Sequence, residues 1–298
     1  MGKIKSSKVP PHGACIFCPF VGELTKEHIL PHWMRPHLPS YDGVAYEGKL
    51  WRRTSTGEEL PPQVKSLKGT GEHRSQTLKV VCAPCNNVWM SQIVNGVRAA
   101  IEPLMLGRWD ELSVEVQRKI ATWFALHNMV YEQFWSGLQI TSEADRRKFM
   151  ADRDPGARRF IWIAKTSDGS AIPTFARFMG SGKPGVSSQM TLVLAAAVGQ
   201  VALISIYDPS GVIVEERMQR IEELLNMIGL RVWPLTENPV PPQKRVEAEA
   251  LNYFLTEIEQ IIRGGESKYA KEVPAALKQV TEMVRRQAAA GLWPPKGF

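Results

Sequence analysis

Val81-Cys82-Ala83-Pro84-Cys85-Asn86-Asn87-Val88-Trp89-Met90 is the stretch on which the fold turns. Cys82 and Cys85 have two residues between them, a spacing that lets a tight turn aim two thiolates at one ion. Cys15-Ile16-Phe17-Cys18 repeats that spacing near the start. Together the pairs supply four sulfurs, the tetrahedral set that zinc prefers, and no cysteine is left over. The competing use of four cysteines is two disulfides. The start of the chain, MGKIKSSKVPPHG, is basic and lacks the apolar stretch of a secretory signal. A reducing, cytoplasmic setting and a structural Zn²⁺ held by Cys15, Cys18, Cys82 and Cys85 are therefore expected.

Working outward, Trp89, Ile93, Val97 and Ile101 recur at helical spacing and predict a helix over about Asn87–Leu104. A second helix is expected over Val114–Phe134, and the charged run Glu143–Arg153 predicts a third. The pattern then changes. FIWIAK (Phe160–Lys165), IPTFARF (Ile172–Phe178), MTLVLAAAV (Met190–Val198) and QVALISIY (Gln200–Tyr207) read as strands. A helix near Val214–Ile228, a strand at Leu230–Pro234 and helices near Val246–Ile262 and Lys268–Ala290 complete the chain. Between the cysteine pairs, residues 36–76 are rich in Pro, Gly, Ser and Thr and read as a long insertion with one short hairpin near Ala45–Arg53. The expected organisation is α+β. A flexible basic arm (1–12) leads into a zinc-supported domain (13–107). An α+β domain (108–298) follows, opening with a helical segment, its role left open among recognition, regulation and dimerisation.

Composition narrows the function. The 298 residues are 44% hydrophobic and 22% charged, the balance of a globular protein rather than a disordered one. Net charge is +7, and the excess sits early: 13 Lys and Arg against 8 Asp and Glu through Gly107. Such an excess favours acidic partners, nucleic acid above all. Pro184–Tyr207 carries no charged residue and is long enough to cross a bilayer. Gly199–Gln200 divides it, so two buried strands and a tight turn explain it better, and no membrane association is expected.

Five of the six histidines and all four cysteines lie at or before Cys85, which directs the search for chemistry to the first third. Thr25-Lys26-Glu27-His28-Ile29-Leu30-Pro31 lies between the cysteine pairs, and Asn86 follows the last cysteine. The order Cys-x2-Cys, Glu-His-Ile-x-Pro, then Cys-x2-Cys-Asn opening a helix resembles the HNH, or ββα-metal, endonuclease family. The closest resemblance is to its members with a four-cysteine zinc site, of the phage recombination endonuclease type. It covers about residues 13–105. Its implications are that His28 is the general base, that Glu27 and Asn86 hold a catalytic divalent metal, and that DNA is cut to 5′-phosphate and 3′-hydroxyl ends.

The residue types suit that chemistry. A hard cation such as Mg²⁺ or Mn²⁺ takes oxygen ligands, which Glu27 and Asn86 offer. On a strand, Glu27 and His28 face opposite ways, so one can hold a cation while the other meets water. Neutral His accepts a proton near pH 7. Asn is also a good helix N-cap, and that use stays open for Asn86. Arg52, Arg53, Lys65 and Lys68, beside Trp51, are candidates for phosphate contact, with a solvated loop as the alternative. His127 lies within an apolar helical pattern and reads as a packed core histidine. A zinc-dependent nucleic-acid-binding module without catalysis, acting on DNA or RNA, is the alternative function, and cutting of both strands would favour a homodimer.

Overall fold

The computed structural model describes residues 12–38, 47–53, 59–66, 77–109, 112–134, 139–167, 175–180, 190–237, 239–242 and 244–262. The chain is a mixed α+β protein. Strands β1 (His12–Ala14) and β2 (Val21–Glu23) form a small antiparallel hairpin around the first cysteine pair. Strand β3 (Thr25–His28) follows, then a 3-10 turn over His32–His37 that Pro31 opens. Strands β4 (Glu47–Arg53) and β5 (Glu59–Ser66) pair antiparallel. The segment expected as a loop with one short hairpin thus carries a hairpin of two long strands. Its low periodicity hid it, because Pro61 and Pro62 in β5 are poor strand signals.

Strand β6 (Thr77–Val81) returns to pair antiparallel with β3 and runs directly into the second cysteine pair. Cys85–Met90 then forms a wide π turn that continues as helix α1 (Ser91–Met105). The helix thus starts before the expected Asn87, and α2 (Val114–Tyr131) and α3 (Glu143–Asp152) follow.

The larger sheet holds β7 (Arg159–Thr166), β8 (Phe175–Gly180), β9 (Met190–Val198), β10 (Val201–Tyr207) and β11 (Gly229–Trp233) in the order β11-β7-β10-β9-β8, with β12 (Arg245–Val246) parallel to β7. Helices α4 (Glu215–Asn226) and α5 (Ala248–Ile262) complete the described residues. The expected helix at Lys268–Ala290 lies outside them.

Both faces of this sheet are covered. Ile161, Ile163, Leu192, Leu194, Val201 and Leu203 pack toward α1 and α2. Their neighbours Trp162, Ala164, Val193, Ala195, Ala202 and Ile204 pack toward α4 and α5. Every residue of β10 is buried, as is every residue of β9 after Met190. Continuous apolar strands are what a sheet buried on both faces requires. The uncharged run in the sequence has this origin, and no described helix is long and apolar enough to cross a membrane.

Helix α2 is the centre of the molecule. One side joins the sheet core through Ile120 and Phe124. Another joins the cysteine cluster through Leu126, Met129 and Val130. The buried polar residues on it and the turn after it each hold another part of the chain. Gln117 Nε2 donates to Leu112 O and Thr236 O, both at 3.0 Å. Thr122 Oγ1 donates to Arg153 O (3.1 Å), and Asn128 pairs with Ser205 Oγ (2.7 Å). Glu132 Oε2 accepts from the backbone N–H groups of Ile140 and Thr141, both at 3.1 Å. The fifth, His127, holds Ile29 and is treated with the site.

Candidate functional site

The four cysteine sulfurs lie within 4.8 Å of one another, and Cys18 and Cys82 are 3.5 Å apart. Four sulfurs around one tetrahedral zinc, at Zn–S of about 2.3 Å, sit roughly 3.8 Å apart, so this cluster has the size for such an ion. A disulfide needs about 2.05 Å, and all four cysteines are free. These cysteines can therefore hold a structural metal ion such as zinc.

The surroundings suit thiolates. Burial pushes the Cys15 thiol up, but backbone N–H groups of Cys82, Phe17 and Cys18 outweigh it and hold the pKa at about 7. Burial likewise pushes Cys82 and Cys85 up. The backbone of Cys85 opposes this at Cys82, and the Trp89 indole opposes it at Cys85. The indole Nε1–H is buried without a hydrogen-bond partner, so it acts on Cys85 as a nearby donor rather than through a formed bond. A cation shared by all four sulfurs would overcome the remaining burial cost. Phe17 stands edge-on to Trp89 at 4.9 Å, and the Arg153 guanidinium lies over the same ring at 4.3 Å. Arg146 braces the first cysteine turn by donating from Nε to Ile16 O at 2.8 Å.

The second cysteine pair delivers Asn86 to β3. Asn86 lies inside the helical turn, not at its start, so it does not act as the N-cap. Its Nδ2 donates to Thr25 Oγ1 (3.0 Å) and Lys26 O (3.3 Å), which leaves the carbonyl oxygen with coordinating capacity. The same amide faces the Glu27 carboxylate. Burial pushes Glu27 up to about 7, and Asn86 partly opposes the shift. A cation beside Glu27 would pull it back down. Burial also lowers the pKa of His28, with the charges of Arg35 and His32 adding to the effect. His28 therefore stays neutral at pH 7, with a lone pair free to take a proton. The position four residues beyond Asn86 is Met90, which is fully buried and offers no ligand.

Glu27 and Asn86 thus come together, although about sixty residues of sequence separate them, and His28 is the next residue on β3, on the other face of the strand. Arg52 and Arg53 fall on β4 and Lys65 on β5, while Lys68 lies outside the described residues. Sequence reasoning assigned no role to Arg35 or to His32, whose ring lies 6.3 Å from that of His28. The turn that Pro31 opens brings them back, and nothing in their spacing announces it.

His127 is the packed core histidine expected, and it also supports the site. Its ring stacks on Phe124 at 5.7 Å. Its Nδ1 is 2.6 Å from Ile29 O, and a carbonyl only accepts, so Nδ1 carries the proton. His127 therefore holds the chain one residue beyond His28.

Comparison with protein-family models, curated proteins and solved structures finds no match for this chain.

Proposed function

We propose that the protein is a metal-dependent HNH-type endonuclease that hydrolyses phosphodiester bonds in DNA. The observation that carries this reading is the contact of Asn86 with Thr25 and Lys26, which joins the second cysteine turn to the Glu27-His28 strand. The order β3, β6, helix, with a cysteine turn at the helix start, supports the ββα-metal resemblance. Glu27 and Asn86 would hold a divalent ion such as Mg²⁺ or Mn²⁺. Such an ion supplies charge neutralisation at the phosphate and leaving oxygen. His28 takes the proton from the attacking water, a role its lowered pKa suits. Arg35 adds positive charge beside His28, where an anionic phosphate would be drawn. Metal in the four-cysteine cluster keeps Asn86 in register, because Asn86 is bonded to Cys85.

A second reading is a zinc-dependent nucleic-acid-binding module without catalysis. It is favoured by the donor set, since two protein oxygens are few for a tightly held divalent ion. One assay separates the two. Supercoiled plasmid is incubated with wild type and His28→Ala, in Mg²⁺, Mn²⁺ or EDTA. Nicking by wild type with metal, and none by the variant, is expected. Equal nicking by both would remove His28 from the mechanism. Binding without cutting in any metal would favour the second reading.

A further inference from the structure

Lys26 on β3 lies directly opposite Lys79 on β6, and His28 directly opposite Thr77. Residues directly opposite in an antiparallel pair share a face, and so do residues two apart on one strand. Lys26, Lys79 and His28 therefore share one face of this two-stranded sheet. The alternate face carries Glu27 opposite Leu78, and Leu78 packs against the core. Both lysines are exposed. Among the described residues neither makes an ion pair. Like charges directly opposite in a ladder repel each other, and this sheet spends stability to keep them there. An anion bridging the two ammonium groups would convert that repulsion into affinity.

We propose that Lys26 and Lys79 form a phosphate-binding track for the backbone of nucleic acid, on the strand face that carries His28. This deepens the nucleic-acid reading above and rests on it. The partner is a phosphodiester chain rather than a single phosphate, because the charge is not enclosed. Two flexible ammonium groups at the surface track a polyanion, whereas a lone anion is held by buried donors. The track also has a direction. Arg35, whose charge acts on His28, extends the positive potential past the candidate base, and the His32 ring lies 6.3 Å from that of His28. A phosphate chain following the lysines would be led to His28. Lys26 adjoins the proposed metal ligand Glu27, but the track acts through charge and does not depend on a bound metal.

The test is fluorescence anisotropy of a labelled DNA duplex in EDTA, where metal-dependent cutting is silent, over a series of salt concentrations. Wild type is compared with Lys26→Gln, Lys79→Gln and the double variant. Arg220→Gln on α4, which packs on the other side of the large sheet, makes an equal charge change and serves as the control. Each lost phosphate contact should flatten the slope of log K against log salt by about 0.9. The double variant is therefore expected to lose about two units of slope and to bind on the order of tenfold more weakly at low salt, with Arg220→Gln unchanged. Zinc content should match wild type, and the thermal midpoint should be equal or slightly higher, since both lysines are exposed and their repulsion is relieved. Wild-type slope in the double variant, or an equal loss in Arg220→Gln, would overturn the track. If wild type still nicks plasmid in that case, the nuclease reading stands and the track alone is wrong. Loss of slope in the double variant without any nicking by wild type would support the track in a binding module. Wild type that neither binds nor cuts would sink both.

Discussion

His127 should make stability depend on pH with a predictable sign and size. The ring is fully buried, and burial pushes its pKa down from an ordinary 6.5 to about 4, with the hydrogen bond to Ile29 O opposing the shift. Between those values the unfolded chain binds a proton that the folded chain refuses. Stability therefore falls as pH falls through this window, and the contribution of the neutral ring is fully present above about pH 7. A shift of two and a half pKa units corresponds to about 3 kcal/mol at the acid end, of which about 2 kcal/mol is already lost near pH 5.

The perturbation is His127→Phe. It keeps an aromatic ring between Phe124 and Tyr131 but removes both the titration and the donor to Ile29 O. An unpaired buried carbonyl costs about 1–3 kcal/mol, so the variant should be the less stable protein near pH 7.5. Near pH 5 the unfolded wild type gains a proton on His127 that its folded state refuses, and the variant has no such loss. The gap should then close or reverse. Urea unfolding followed by tryptophan fluorescence at the two pH values measures it. The quantity read is the difference between wild type and variant, which cancels the titration of the cysteines and carboxylates common to both. Parallel loss of stability in the two proteins would refute a buried neutral His127.

Two further outcomes test the frame of the molecule. Cys85→Ser should lose bound zinc and near-UV ellipticity together, because the sulfur lies in a core with Phe17, Trp89 and Phe149; a folded, zinc-free Cys85→Ser protein with wild-type near-UV ellipticity would contradict this. Gly199→Ala should lower stability by about 2–3 kcal/mol in urea titrations, since an added Cβ would meet Met105 O at 2.5 Å on a backbone with φ of +58°; an unchanged midpoint would show that the turn between β9 and β10 is not pinned to the end of α1.

Much of the molecule is legible in the residues in order. The spacing of Trp89, Ile93, Val97 and Ile101 gives α1, and uninterrupted apolar runs give β9 and β10, because these patterns are local consequences of backbone period. The two Cys-x2-Cys turns announce their cluster, since ligand spacing within each turn is a local property as well. The π turn at Cys85 is not legible, because no side-chain period marks it. Its wider winding is seen only where Asn86 reaches Thr25 and Lys26.

The order of residues thus carries the inventory: a metal-suited cysteine set, an α+β chain, an early basic excess, and Glu27, His28 and Asn86 as groups able to do chemistry. Their relations come from folding. Register between β3 and β6 set Lys26 against Lys79, and folding of the turn after Pro31 brought His32 and Arg35 toward His28. Packing of α2 between the cysteine core and the sheet gave His127 its hold on Ile29. Pairings of this kind are made between segments far apart in the chain, and their free energy comes from burial and register that no local pattern encodes.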